Sequence, residues 1–195
     1  MKRTLCLLSL LVCASISCVG PGHNYVMKTM DTKPEIKPEI KPDPNKAVLV
    51  VFRSILYGRL YAMNSWADGN FLGQTKGRTY FITKIDPGTH YLFGEGGSVT
   101  GNDNGCVKID VLANKVYYIW QGTYPGPSGL RTGFSASSPD DFTKELSSMT
   151  YSELDESAPK PVFDSELFNN AKAKYEKEAV EDPNRHKDTQ NIKGY

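Results

Sequence analysis

Histidine is scarce in this chain of 195 residues: there are only three. So few imidazoles leave little material for acid–base or zinc chemistry, and no metal-ligand spacing links His23, His90 and His186. Cysteine is scarce too, with Cys6, Cys13, Cys18 and Cys106 making up the set. Charge of one sign is missing: 23 Lys and Arg stand against 22 Asp and Glu, which removes the case for a nucleic-acid partner. A long apolar run is also missing. Leu5 to Ile16 falls well below the ~20 residues that a spanning helix needs. What the chain does have is enough apolar and aromatic residues, 39% and 11%, for one domain with a core.

Lys2 and Arg3 ahead of the short apolar run read as a secretory leader. Small residues follow, and then Cys18. Ile16, Ser17 and Cys18 resemble the lipobox of bacterial lipoproteins, with Ser15 departing where Leu is usual. The resemblance implies cleavage after Ser17 and a lipid on Cys18. Cys6 and Cys13 then leave with the leader, so no intrachain disulfide is available to Cys106, which reads as a small buried hydrophobe in a strand. Without Lys2 and Arg3 the body carries 21 basic and 22 acidic residues, and no overall attraction to anionic membrane is expected. Val19-Gly20 lacks an Asp after the Cys, which makes the outer membrane the default destination.

The expected organisation is a leader over 1–17, a lipid-anchored tether over 18–45, a β-sandwich over 46–137, and C-terminal helices with a tail over 138–195. The tether includes KPEIKPEIKPDP, Lys33 to Pro44. Each Pro removes an amide donor and biases its predecessor towards extended dihedrals. Fully extended polyproline II over this stretch reaches on the order of 35 Å. The expectation is a spacer holding the folded body off the lipid.

The body reads as an antiparallel β-sandwich of about seven strands. Ala47–Arg53 is β-branched and aromatic. Arg59–Ala67 and NFLGQT flank Asp68-Gly69, a type I′ hairpin signal. Arg78–Ile85 alternates, with Tyr80, Ile82 and Lys84 opposite Phe81, Thr83 and Ile85. Asp86-Pro87-Gly88 is a turn, and HYLF, Cys106–Val111, Val116–Gln121 and GLRTGFSA supply further strands. Ser138-Pro139-Asp140-Asp141 caps a short helix running to about Met149. Leu167, Phe168, Ala171, Tyr175 and Ala179 form the stripe of a second, amphipathic helix, and the last residues read as irregular or as a short docked tail.

Phe52-Arg53, Asp68-Gly69, Tyr80-Phe81, Pro87-Gly88, His90 and Lys115-Val116-Tyr117-Tyr118 occur in the order seen in DUF2846-type β-sandwich lipoproteins, which the body resembles over about residues 46–147. Asn114 stands where that family has Gly. The resemblance implies a fold and an envelope location, and no activity.

Tyr118, Trp120 and Tyr124 are the candidate binding residues. Alternation puts Tyr118 and Trp120 on one face and Tyr117 and Ile119 on the other. One face packs; the other has aromatics to offer to sugar or protein. No catalytic residue, metal or cofactor is expected. The function expected is a non-catalytic binding or structural module in the cell envelope, partnered by membrane through its lipid and by envelope proteins or polymer. The alternative is an envelope hydrolase acting on glycan or peptide, which needs Ser128, His90 and a carboxylate in one cleft. Other candidates are the oxygen-rich loop at Asn102, Asp103 and Asn104 for calcium, the loose pair Glu95 and Asp103, and an apolar cavity for a carried solute.

Overall fold

The computed structural model describes residues 26–29, 37–96, 104–126, 129–184 and 192–195. The chain runs β1 (Met27–Thr29), β2 (Ala47–Arg53), β3 (Ala62–Ala67), β4 (Asn70–Lys76), β5 (Thr79–Ile85), β6 (Gly88–Gly96), β7 (Gly105–Val111), β8 (Lys115–Gly126), β9 (Gly129–Ser137), α1 (Pro139–Leu146), β10 (Thr150–Leu154) and α2 (Ser165–Glu181). A six-stranded sheet, β1-β10-β5-β2-β8-β9, faces a four-stranded sheet, β4-β3-β6-β7. This is the expected sandwich with C-terminal helices. It has ten strands among the described residues, and two pairings, β10 with β5 and β2 with β8, are parallel.

Strand β2 is buried on both faces. Ala47, Leu49 and Val51 enter the core between the sheets, with Phe81, Leu92, Ile109 and Ile119. Val48, Val50 and Phe52 enter a second core on the outer face of the larger sheet, with Tyr80, Val116 and Tyr118. Helix α1 closes that second core. Ser138 caps it by accepting from the Asp141 amide at 3.1 Å, and Pro139 opens its first turn. Its Phe142 ring then stands 5.3 Å from Phe52, 5.2 Å from Tyr80 and 5.3 Å from Tyr118. Helix α2, capped by Asp164, lies on the outer face of the smaller sheet. There Tyr175 meets Tyr91, and Phe168 meets Phe93.

The tight turns obey local chemistry. Asp68 (φ +48°) and Gly69 (φ +87°) carry the two positive dihedrals of the β3–β4 hairpin, and Asn114 (φ +59°) turns β7 into β8. His90 bridges two turns. Its Nδ1 lies 2.7 Å from Asp68 Oδ2 and its Nε2 lies 2.8 Å from the Asp86 carbonyl.

The span read as a tether needs correction, because part of it belongs to the body. Strand β1 pairs antiparallel with β10, Met27 opposite Leu154 and Thr29 opposite Ser152. Val26 and Met27 are buried, and the Val26 amide donates to Gln74 Oε1 at 2.7 Å. Gln74 in turn donates to Asn64 Oδ1 at 2.7 Å, and Asn64 to Glu95 Oε2 at 2.9 Å, a buried polar ladder across β4, β3 and β6. Downstream, Lys37 Nζ donates to the Leu146 carbonyl at the end of α1, and Ile40 packs into the second core. Asp43 accepts from Lys84 at 2.7 Å and from the amides of Asn45 and Lys46, which holds its carboxyl below the usual range. The described parts of this span, residues 26–29 and 37–45, therefore pack on the body instead of standing it off. Residues 30–36 lie outside the described residues.

The end of the tail, residues 192–195, docks, which is one of the two forms expected of it. Tyr195 and Val116 exchange two backbone hydrogen bonds, of 2.9 and 3.0 Å, and Ile192 is buried in the main core. β10, by contrast, falls between the two expected helices, where no strand was expected.

At one corner the two sheets nearly fuse. Gly105, opening β7, lies so close to β9 that a Cβ there would stand 2.3 Å from the Thr132 carbonyl oxygen. Backbone cannot give way as a flexible side chain can. Gly105→Ala is expected to cost about 1–3 kcal/mol, the usual penalty of overpacking. Urea unfolding of the two proteins checks it.

Candidate functional site

The β7–β9 corner leaves a groove of about 440 Å³ roofed by α2. Tyr124 and Arg131 line it from the β8–β9 hairpin, Cys106 and Asn104 from the β6–β7 side, and Lys174, Tyr175 and Glu178 from the helix. Two cations, one carboxylate and two phenols thus converge on an apolar floor of Val107 and Phe134, beneath Ala171 of the helix. Such a set suits a polar ligand with an anionic group and a flat face for stacking.

Tyr124 owes its place to missing side chains beneath it. On β8, Trp120, Gly122 and Tyr124 share a face. A Cβ on Gly122 would lie 2.5 Å from both the Trp120 ring and the Tyr124 hydroxyl. Gly133, paired with Gly122 across the hairpin, has the Tyr124 ring 3.7 Å from its Cβ position. Trp120 and Tyr124 therefore meet edge to face, with centroids 6.0 Å apart. Partial burial pushes the Tyr124 phenol up, and a hydrogen bond with Ser135 works against that shift.

The three aromatic candidates separate. Tyr124 is 43% exposed and lines the groove. Trp120 is half-buried behind it, its indole Nε1 3.3 Å from Ser54 Oγ. Tyr118 is not a presented aromatic: it is buried between Phe142 and Tyr195. The premise of one covered and one open face fails here because α1 and the tail cover the outer face. Sequence reasoning missed Arg131, Lys174, Tyr175 and Glu178. The available signal was Lys174 and Glu178 one turn apart beside a predicted core Tyr.

The remaining candidates distribute as follows. Cys18, Asn102, Asp103, Ser128, His23 and His186 lie outside the described residues. Asn104 Oδ1 accepts only a long 3.5 Å bond from the Gly96 amide. Glu95 is buried in the polar ladder. His90 has one ring nitrogen against the Asp68 carboxylate and the other against the Asp86 carbonyl, and it does not line the groove. Among the described residues no group of three His, Cys, Asp or Glu side chains is placed to hold a metal.

A second concavity, of about 600 Å³, lies at the other end of the sandwich. Pro87, Val111, Leu112 and Tyr117 line it, and the docked tail supplies Ile192 and Gly194 as one wall.

Cys106 is buried, and that burial pushes its thiol up to about 12, with nearby Glu176 and Asp68 adding to the effect and Lys172 opposing it. At mildly alkaline pH it is almost wholly protonated. In the chain starting at Val19, where it is the sole cysteine, a disulfide reagent is expected to react at least ~100-fold more slowly before unfolding than after. Absorbance of the released thiolate reads both rates.

Comparison of the chain with family models, with curated proteins and with solved structures returned no match.

Proposed function

We propose that this is a lipid-anchored cell-envelope protein with a non-catalytic binding module, held at the outer membrane by a lipid on Cys18. The leader, the lipobox-like Ile16-Ser17-Cys18 and the order of motifs shared with DUF2846-type lipoproteins support the location. The groove under α2 supports the activity. Its single most telling feature is the exposed Tyr124 ring beside Arg131 and Lys174, in a chain whose other strand aromatics are mostly packed away. A glycan or peptide segment of the envelope carrying an acidic group fits that chemistry. His90 lies outside this groove, between the β3–β4 and β5–β6 turns, and is not placed to serve a reaction there.

The anchor is tested by labelling cells with palmitate. Wild type is expected to take the label and Cys18→Ser to lose it; an unlabelled wild type found in the medium contradicts the anchor. The groove is tested by titrating acidic envelope glycan fragments and peptides into the wild type and Tyr124→Ala. The substitution is expected to weaken binding by roughly tenfold, in line with the loss of a stacking aromatic.

A further inference from the structure

Three connectors meet at one end of the sandwich. β2 ends at Arg53, opposite Thr79 where β5 begins, so the β2–β3 loop and the β4–β5 turn share that end. β8 runs parallel to β2, passes Phe52 at Trp120, and continues to Gly126. The hairpin it forms with β9 therefore projects from the same end. The connectors touch: Leu130 lies 3.0 Å from the Cβ position of Gly58, and Arg59 lies 3.8 Å from that of Gly77.

Their composition is one-sided. Residues 54–61, 76–79 and 121–131 hold Arg59, Lys76, Arg78 and Arg131 and no Asp or Glu. All four cations are exposed. The near-neutral charge of the whole chain conceals this. The same end carries exposed apolar side chains: Leu60 is 77% exposed, Leu56 52% and Tyr57 50%. The loop bearing them is braced from below. Arg53, fully buried, donates to the carbonyls of Tyr57 at 2.7 Å and Tyr61 at 3.1 Å, and Thr123 Oγ1 donates to Tyr57 at 2.8 Å.

We propose that this end is a membrane-contact face, which seats on an anionic bilayer with Leu56, Tyr57 and Leu60 in the interface and Arg59, Lys76 and Arg78 at the headgroups. Leucines and a tyrosine beside Arg59, Lys76 and Arg78, in three connectors that carry no carboxylate of their own, are complementary to that surface in both polarity and charge. Chain length agrees, an argument that rests on the lipid-anchor reading, although the surface chemistry does not. From Cys18 to Val26 the backbone spans at most roughly 29 Å. Val26 lies level with Asp155, and Thr150 pairs with Thr79 at the basic end, about 17 Å away along the strand. That reach exceeds the separation, so an anchor at Cys18 is compatible with this end meeting the bilayer, although β1 runs towards this end and its upstream chain leaves from the other.

The test uses the chain from Val19, which lacks leader and anchor but keeps every described residue. It is sedimented with vesicles of phosphatidylcholine alone and of equal parts phosphatidylcholine and phosphatidylglycerol. Pelleting is expected with the mixed vesicles only, and is expected to weaken in high salt. Leu60→Ser and Leu56→Ser, both at exposed positions, should each weaken it by roughly tenfold, and Arg59→Gln several-fold. No pelleting with mixed vesicles, or pelleting that ignores these substitutions, overturns the proposal. Loss of palmitate label without loss of vesicle binding would overturn the anchor alone; label without vesicle binding would overturn the face alone.

Discussion

Burial of β2 on both faces is the constraint on which the rest of the structure depends. All seven residues from Ala47 to Arg53 are buried. A strand that is apolar on both sides cannot lie in a sheet with one wet face, because each face then needs its own cover. The smaller sheet covers one. Phe142 of α1, Ile40 of the proline-rich loop and the ring of Tyr118 cover the other. The parallel pairing with β8 follows from the same position, since β2 has β5 on one side and β8 on the other. Even its final residue is used: Arg53 carries a charge into the interior, with burial lowering its pKa to about 10, and its hydrogen bonds fix the adjoining loop.

Much of this fold is legible in the sequence where local signals are strong. Ala47–Arg53 reads as a buried strand because nothing in it is polar until its end. The Asp68-Gly69 hairpin and the Ser138 cap are specified by the residues that form them. β1 and β10 are not legible. MKT and TYSEL have no periodicity of their own: β1 takes its ladder from β10, more than a hundred residues away, and β10 takes its own from β1 and β5. The proline-rich stretch misleads for a related reason. Proline predicts extended backbone correctly, but local composition is silent on whether the chain is pinned upstream, and here the Val26 amide and β1 pin it.

The site divides along the same line. Tyr124 was identifiable as an aromatic just beyond the expected strand Val116–Gln121, which in the structure runs on to Gly126. Tyr118 was misassigned because alternation gives faces and not their cover. The groove itself depends on the meeting of two edge strands at Gly105 and on the seating of α2, which are tertiary facts. With the N-terminal segment folded into the sheet, a lipid on Cys18 would hold the sandwich close to the bilayer, and the proline-rich loop would brace α1 instead of setting a distance.

The central claim is that residues 26–29 and 37–45 are part of the folded body. The most direct measurement is urea unfolding of the chain from Val19 beside the chain from Lys46. Removal of the buried Val26 and Met27, of Ile40 and of the amide bond to Gln74 is predicted to lower stability by roughly 3–6 kcal/mol, or to abolish cooperative folding. Equal stability of the two chains would contradict the account and return this segment to the role of a tether.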